Sequence, residues 1–207
     1  NQLELYFQNY LQTNFLDAYQ HEKIRLLPLV LKSAESIVQL NTLNTYGIYI
    51  NVSDSVEISN IQLDMCRTAI YLDGCTNSLV HDNTMGGSNL EEDGIYINGG
   101  HSHQIYQNTI ADAVNMNYGI YNSADSSAFV GNTIDGVETG IYFNSAARDN
   151  TISDNTIENS SEYAVYLDGS DYNTISNNTI TNSDGVYLKY DADYNNIVSN
   201  TMTEIDL

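Results

Sequence analysis

A tetrapeptide of the form Gly/Ala-Ile/Val-Tyr-apolar recurs seven times in this 207-residue chain, and that recurrence limits the fold more than any other feature. The copies are Gly47-Ile48-Tyr49-Ile50, Ala69-Ile70-Tyr71-Leu72, Gly94-Ile95-Tyr96-Ile97, Gly119-Ile120-Tyr121-Asn122, Gly140-Ile141-Tyr142-Phe143, Ala164-Val165-Tyr166-Leu167 and Gly185-Val186-Tyr187-Leu188. They follow one another at intervals of 21 to 25 residues. A second phrase, apolar-x-x-Asn-Thr-apolar, lies between them, with its Asn at 41, 83, 108, 132, 155, 178 and 200. The copy from Ile58 to Leu63 departs from it and carries Ile61 in the Asn position.

Both phrases are too short for helices, rich in β-branched residues, and alternate apolar with polar, the two-residue period of a strand. A unit of this length with two or three short strands is one coil of a β-solenoid. Leucine-rich repeats have a similar period but need a Leu-x-x-Leu-x-Leu frame, which is absent, and propeller blades need about 40 residues. The expected fold is all-β: a single-stranded right-handed parallel β-helix of about seven coils with an N-terminal cap. Residues 1–35 lack the repeat and are assigned to the cap and a first irregular coil. Residues 36–207 form the repeat domain. Pro28 marks entry into that first coil, with Leu29-Val30-Leu31 one repeat before Ile48.

The alternation sets side-chain direction. Positions 48, 70, 95, 120, 141, 165 and 186 point inward, as do 50, 72, 97, 143, 167 and 188, with Asn122 the one polar intruder. The tyrosines between them point outward, and so do the threonines at 84, 109, 133, 156, 179 and 201. Coils stack about 4.8 Å apart, so equivalent residues become columns along the axis. An inward Asn at a corner bonds the coils on either side and satisfies the turn, so the Asn column is structural. The Gly or Ala before each Ile relieves crowding at a tight turn.

The sequence resembles the right-handed parallel β-helix repeats of the pectate-lyase-like superfamily, in particular NosD-type repeats. Asn150-Thr-Ile-Ser-Asp-Asn-Thr-Ile157 and Asn173-Thr-Ile-Ser-Asn-Asn-Thr-Ile180 carry the resemblance, which covers residues 38–202. It implies the fold but no one function: that superfamily holds polysaccharide lyases and hydrolases, phage tail spikes, adhesins and surface proteins. Copper binding does not carry over, because no Met/His cluster matches.

Charge narrows the partners. Six Lys+Arg face 27 Asp+Glu, a formal net charge of -21. A polyanion releases no counterions from DNA or RNA, so nucleic acid is not an expected partner. Anionic membranes are disfavoured too, and no stretch reaches the roughly 18 apolar residues of a span. Cations and neutral polymers remain. The two cysteines, Cys66 and Cys75, are too few for a disulfide framework and form no CxxC pair.

Candidate site residues fall into two sets. The outward Tyr ladder at Tyr49, Tyr71, Tyr96, Tyr121, Tyr142, Tyr166 and Tyr187 has three readings: sugar stacking, a contact face for another subunit, or strand packing. The second set is a column seven residues before the Asn column: Asp54, Thr76, His101, Asp125, Arg148, Asp171 and Asp193. Asp171 and Asp193 lie one coil apart, and with Asp191 they make a candidate Ca²⁺ site. Arg148 reads as an ion-pair partner for these acids. His101-Ser-His103 is a further metal candidate, though two ligands are not a site. No catalytic constellation is legible; an enzyme on this chain would be a polysaccharide lyase or glycoside hydrolase. Asp82 and Asp154 share a column but sit three coils apart, about 14 Å, too far for paired carboxylates.

The first expectation is therefore an extracellular or cell-surface structural protein, self-associating head to tail as a filament, sheath or surface-layer subunit. It rests on the Tyr ladder, the lack of a C-terminal cap comparable to residues 1–35, and the lack of catalytic residues. The alternative is a carbohydrate-active module that binds or cleaves a polysaccharide along its outer face.

Overall fold

The computed structural model describes residues 37–39, 46–63, 66–87, 90, 92–111 and 116–205. The cap at 1–35, the coil entry at Pro28 and the first Asn at position 41 lie outside these residues. The described chain is a right-handed parallel β-solenoid of about seven turns, with no helix among the described residues. Each coil supplies one strand to each of three sheets. The first sheet has eight strands and the other two have seven. The repeated Tyr phrase builds the first sheet; Ile48, Ile70, Ile95, Ile120, Ile141 and Val165 stack in its interior in the expected register. The second and third sheets carry the strands before and after the Asn column, such as Gln104–Tyr106 and Thr109–Ala111. Ile105, Ile110, Ile152, Ile157, Ile175 and Ile180 are fully buried between them.

The strand Ile37–Gln39 pairs antiparallel with Tyr46–Asn51, so among the described residues the parallel array begins at Tyr46. A strand running the other way cannot continue a coil of the same hand, and it borders the array at that edge.

Corners are made by single residues in the left-handed region. Asn60, Asp82, Gln107, Gly131, Asp154, Asn177 and Ser199 all have φ between 53° and 64°. Gly, Asn and Asp tolerate that conformation best, which accounts for much of this column. Each is followed by the inward Asn column. Asn108 shows the pattern. Its Oδ1 accepts from the backbone N–H of Asn83 (3.2 Å) and from Asn83 Nδ2 (2.9 Å). Its Nδ2 donates to Val80 O (2.9 Å) and to Asn132 Oδ1 (3.0 Å). The same bonds run on through Asn132, Asn155, Asn178 and Asn200. Ile61 fills the slot in the first coil, and its N–H still donates to Asn83 Oδ1.

A second inward ladder occupies the preceding corner. The N–H of Ser127 donates to Asn150 Oδ1, that of Asn150 to Asn173, and that of Asn173 to Asn195. In earlier coils the acceptors are His103 Nδ1, for Ser78, and Ser127 Oγ, for His103. The column is Ser78, His103, Ser127, Asn150, Asn173 and Asn195, too varied in residue type to stand out as a repeat.

Gly47, Gly94, Gly119 and Gly140 answer to close approach rather than to a turn, whereas Gly185 has a left-handed φ of 76° and room for a Cβ. A Cβ on Gly119 would lie 2.6 Å from Gly140 O and 2.6 Å from Ile134 Cγ2. Position 119 therefore faces the core, immediately before the inward Ile120. Two successive inward residues shift the strand's parity, with a consequence for the outer face described below.

The last coil is open. Leu188, Ile197 and Met202 occupy interior columns yet are 37–43 % exposed, because no further described coil covers them. Ile48, Ile50 and Ile58 of the first complete coil are at most 2 % exposed.

The Asn ladder yields a stability test. Asn132→Leu removes the acceptor of the buried Asn108 N–H and the side-chain donor to Ile105 O, while Asn108 Nδ2 keeps Val80 O. Each buried unsatisfied group costs about 1–3 kcal/mol, so urea unfolding should show a loss of at least ~2 kcal/mol. Thr133→Ala, one residue along and exposed, should stay within ~0.5 kcal/mol of the parent. Equal losses in the two variants would refute a structural ladder.

Candidate functional site

The outer surface of the first sheet carries the Tyr ladder in continuous register from Tyr49 to Tyr187. Successive ring centroids are 5.3, 4.7, 4.2, 5.2, 5.1 and 5.2 Å apart. From Tyr71 to Tyr142 the rings are stacked, with Tyr96 and Tyr121 only 2° from parallel. Stacked rings cover each other's faces and present edges and hydroxyls to solvent. Tyr166 breaks the stack: it stands at 79° to Tyr142 and 70° to Tyr187.

Three further tyrosines flank this ladder. Tyr46 packs on Tyr49 and Tyr71, Tyr118 on Tyr121 and Tyr142, and Tyr163 on Tyr166 and Tyr187. Each lies three residues before a ladder Tyr, and in a regular strand that spacing reaches the opposite face. The doubled inward step at Gly/Ala brings them to the same face. The i, i+3 Tyr pair was the available signal, and strict alternation concealed it.

On the other flank a polar column meets the phenols. Tyr49 Oη donates to Asp73 Oδ2 (2.8 Å), and Tyr142 Oη donates to Asp168 Oδ2 (2.6 Å). Asn98 Nδ2 donates to Asp73 Oδ1 (2.9 Å), and Asn144 Nδ2 donates to Tyr121 Oη (2.9 Å). The hydrogen bond to Asp73, reinforced by burial, pushes the Tyr49 phenol up to about 12. Burial first, then the bond to Asp168, raises Tyr142, and burial raises Tyr96 and Tyr71. Tyr49, Tyr71, Tyr96 and Tyr142 are thus protonated at neutral pH, and the row as a whole offers a regular series of hydroxyls, carboxylates and amides.

Asp93 sits under this aromatic face, beside Thr68 below and Tyr118 above. Thr68 Oγ1 donates to its Oδ2 (3.4 Å), while its Oδ1 is buried with no hydrogen-bond partner. Burial, with the neighbouring Glu92 carboxylate adding to it, raises its pKa from 3.8 to about 7. The run Glu92-Asp93 looks like a solvated acidic turn in sequence. Glu92 fits that description and pairs with Arg67 at 2.5 Å, whereas Asp93 turns under the sheet face.

The Asp54 column exists as expected: Asp54, Thr76, His101 and Asp125 bridge in parallel. Asp125 Oδ1 accepts the N–H of Arg148 (2.8 Å), and Asp171 Oδ1 accepts the N–H of Asp193 (2.9 Å). Asp171 Oδ2 pairs with the Arg148 guanidinium at 3.3 Å. Asp171, Asp191 and Asp193 thus lie on one corner with both Asp171 oxygens engaged, and no group of three or more His, Cys, Asp or Glu among the described residues is arranged to hold a metal ion. The two histidines part company. Ser102 is in the left-handed region, so His101 faces solvent and His103 the core. Burial pushes His103 down to about 4, so it accepts the Ser78 N–H as a neutral ring. Cys66 and Cys75 are buried thiols that form no disulfide.

With this geometry the chain falls in the class of parallel β-helix proteins. The family model "Right handed beta helix region" matches residues 46–202, and the chain belongs to that family. Among solved structures it is similar to a periplasmic alginate epimerase, at 13% identity and a TM-score of 0.52, covering 70% of this chain and 49% of that one. The chain spans about half the length of that epimerase, and at this identity the similarity is one of fold. It is also similar to endopolygalacturonase I from Stereum purpureum, at 13% identity and a TM-score of 0.39, covering 74% and 69% of the two chains. No curated protein matches the sequence.

Asp93 makes a pH test of the face. Its folded-state pKa is raised, so folding favours the protonated form, and stability falls as pH climbs from about 4 through about 7. Asp93→Asn keeps the shape without the charge. It should match the parent near pH 4 and exceed it at pH 8 by on the order of 2–4 kcal/mol in urea unfolding. Parallel stability curves across that window would show that Asp93 is solvated.

Proposed function

We propose that this protein is a secreted or surface-exposed module that binds a polysaccharide along the outer face of its first sheet. The observation that carries this reading is the Tyr ladder with its hydrogen-bonded row of Asp and Asn. A linear polymer of repeating hydroxylated units matches a row of repeating hydroxyl, amide and carboxylate groups. Ring edges and the turned Tyr166 supply apolar contact. The net charge of -21 opposes a polyanion and leaves a neutral polymer as the better ligand. A neighbour in fold is named for its action on alginate, a polysaccharide. Titration calorimetry with a soluble β-glucan, a galactomannan and a xylan tests the reading. One polymer should bind, and Tyr121→Ala with Tyr142→Ala should weaken it about tenfold, or ~1.4 kcal/mol. Thr133→Ala on the third sheet should not. Binding indifferent to the Tyr pair would remove the ladder from the site.

A further inference from the structure

Three tyrosines stand apart from the ladder. Tyr172, Tyr190 and Tyr194 are 52, 67 and 75 % exposed, more than any other described Tyr. All three adopt left-handed backbone conformations, with φ of 59°, 52° and 57°. A bulky side chain there is a genuine outlier and costs on the order of 1–3 kcal/mol. The corner position of Tyr172 and Tyr194 is held in earlier coils by Ser55, Asn77, Ser102, Ser126 and Asp149, all with φ of 51–61°. Packing does not demand an aromatic at these corners, since five coils manage with small polar residues.

The corner is otherwise firmly built. The Tyr172 N–H donates to Asp193 O (3.1 Å), and the Asp193 N–H donates to Asp171 Oδ1 (2.9 Å). The rings of Tyr172 and Tyr194 are 6° from parallel at 4.9 Å. Lys189 Nζ lies 4.5 Å over the Tyr190 ring. Tyr190 and Tyr194 bracket Asp193 in sequence, and the Arg148–Asp171 pair lies alongside.

Resting on the polysaccharide reading above, we infer that this corner is a distinct sugar-stacking subsite for a neutral polysaccharide, formed by Tyr172, Tyr190 and Tyr194. Tyr172 and Tyr194 stack on each other and Lys189 lies over one side of Tyr190, so the outer sides of that pair and the free side of Tyr190 are what meet the apolar side of a sugar ring. At 52–75 % exposure the three present more ring surface than any rung of the ladder. Asp193 precedes Tyr194 in the chain and Arg148 pairs with Asp171 of the same column, so the corner also holds a carboxylate to accept from sugar hydroxyls and a guanidinium to donate to ring and hydroxyl oxygens. Asp171, Asp191 and Asp193 repel a uronate, so the subsite selects uncharged sugars.

The test exploits the backbone. Tyr172→Asn, Tyr190→Asn and Tyr194→Asn place a residue that suits left-handed φ at each position, so the triple variant should melt no lower than the parent. Calorimetry should show at least a tenfold loss of affinity for the β-glucan, galactomannan or xylan that the parent binds best. Polygalacturonate should bind the parent at least tenfold more weakly than that polymer. If Tyr121→Ala with Tyr142→Ala abolishes binding while the triple Asn variant binds normally, the corner inference falls and the polysaccharide reading stands. If the parent binds none of the three neutral polymers, both fall. A triple variant that loses only self-association, seen by light scattering, also overturns the inference and makes the corner a contact between copies.

Discussion

Everything in this molecule depends on a carboxamide that can donate and accept along the same axis. A coil of a solenoid turns its backbone inward at the corners, where water does not reach. The N–H and C=O groups exposed by a one-residue turn must be met by something from the neighbouring coil. Asn is short enough to fit inside the corner and carries both kinds of group. Asn132 receives two bonds through its Oδ1 and gives two through its Nδ2, so each coil completes the one before it. The second ladder shows how far the requirement can relax. Ser127 Oγ and a neutral His103 ring supply an acceptor where Asn does so in later coils.

Once coils are locked in register, the outer surface inherits the period. A residue type acceptable on the outside of one strand becomes a row when it recurs, and a row is a natural partner for a polymer. The Tyr face is such a row, continuous over seven coils, and its flank is Asn or Asp in five of them, with Ser123 and Lys189 in the other two. Two carboxylates, Asp73 and Asp168, stand in that flank and accept from Tyr49 and Tyr142, while Asp93 is carried inward under the same face.

Much of this was legible in the sequence. Seven Tyr phrases and one Asn column defined the coil, the register and the ladder to the residue, because a solenoid repeats its chemistry at fixed positions. Three things escaped. The second ladder mixes Ser, His and Asn, so only its hydrogen bonds reveal it as one column. Tyr46, Tyr118 and Tyr163 were hidden by a parity shift that alternation cannot anticipate, although the Gly/Ala column causes it. Asp93 carried no sequence signal of its own: it follows Glu92 in an acidic run, and only its place between Thr68 and Tyr118 shows that it is buried.

The ladder has a further consequence for how such a protein changes size. Because each coil answers only to the coils on either side, removing or duplicating one complete repeat of 21 to 25 residues restores the same bonds between the new neighbours. Length is therefore quantised in coils while the cross-section stays constant. A binding row laid along the axis grows or shrinks in the same steps. Such a scaffold is a ruler, graduated by adding or deleting identical divisions rather than by reshaping a pocket.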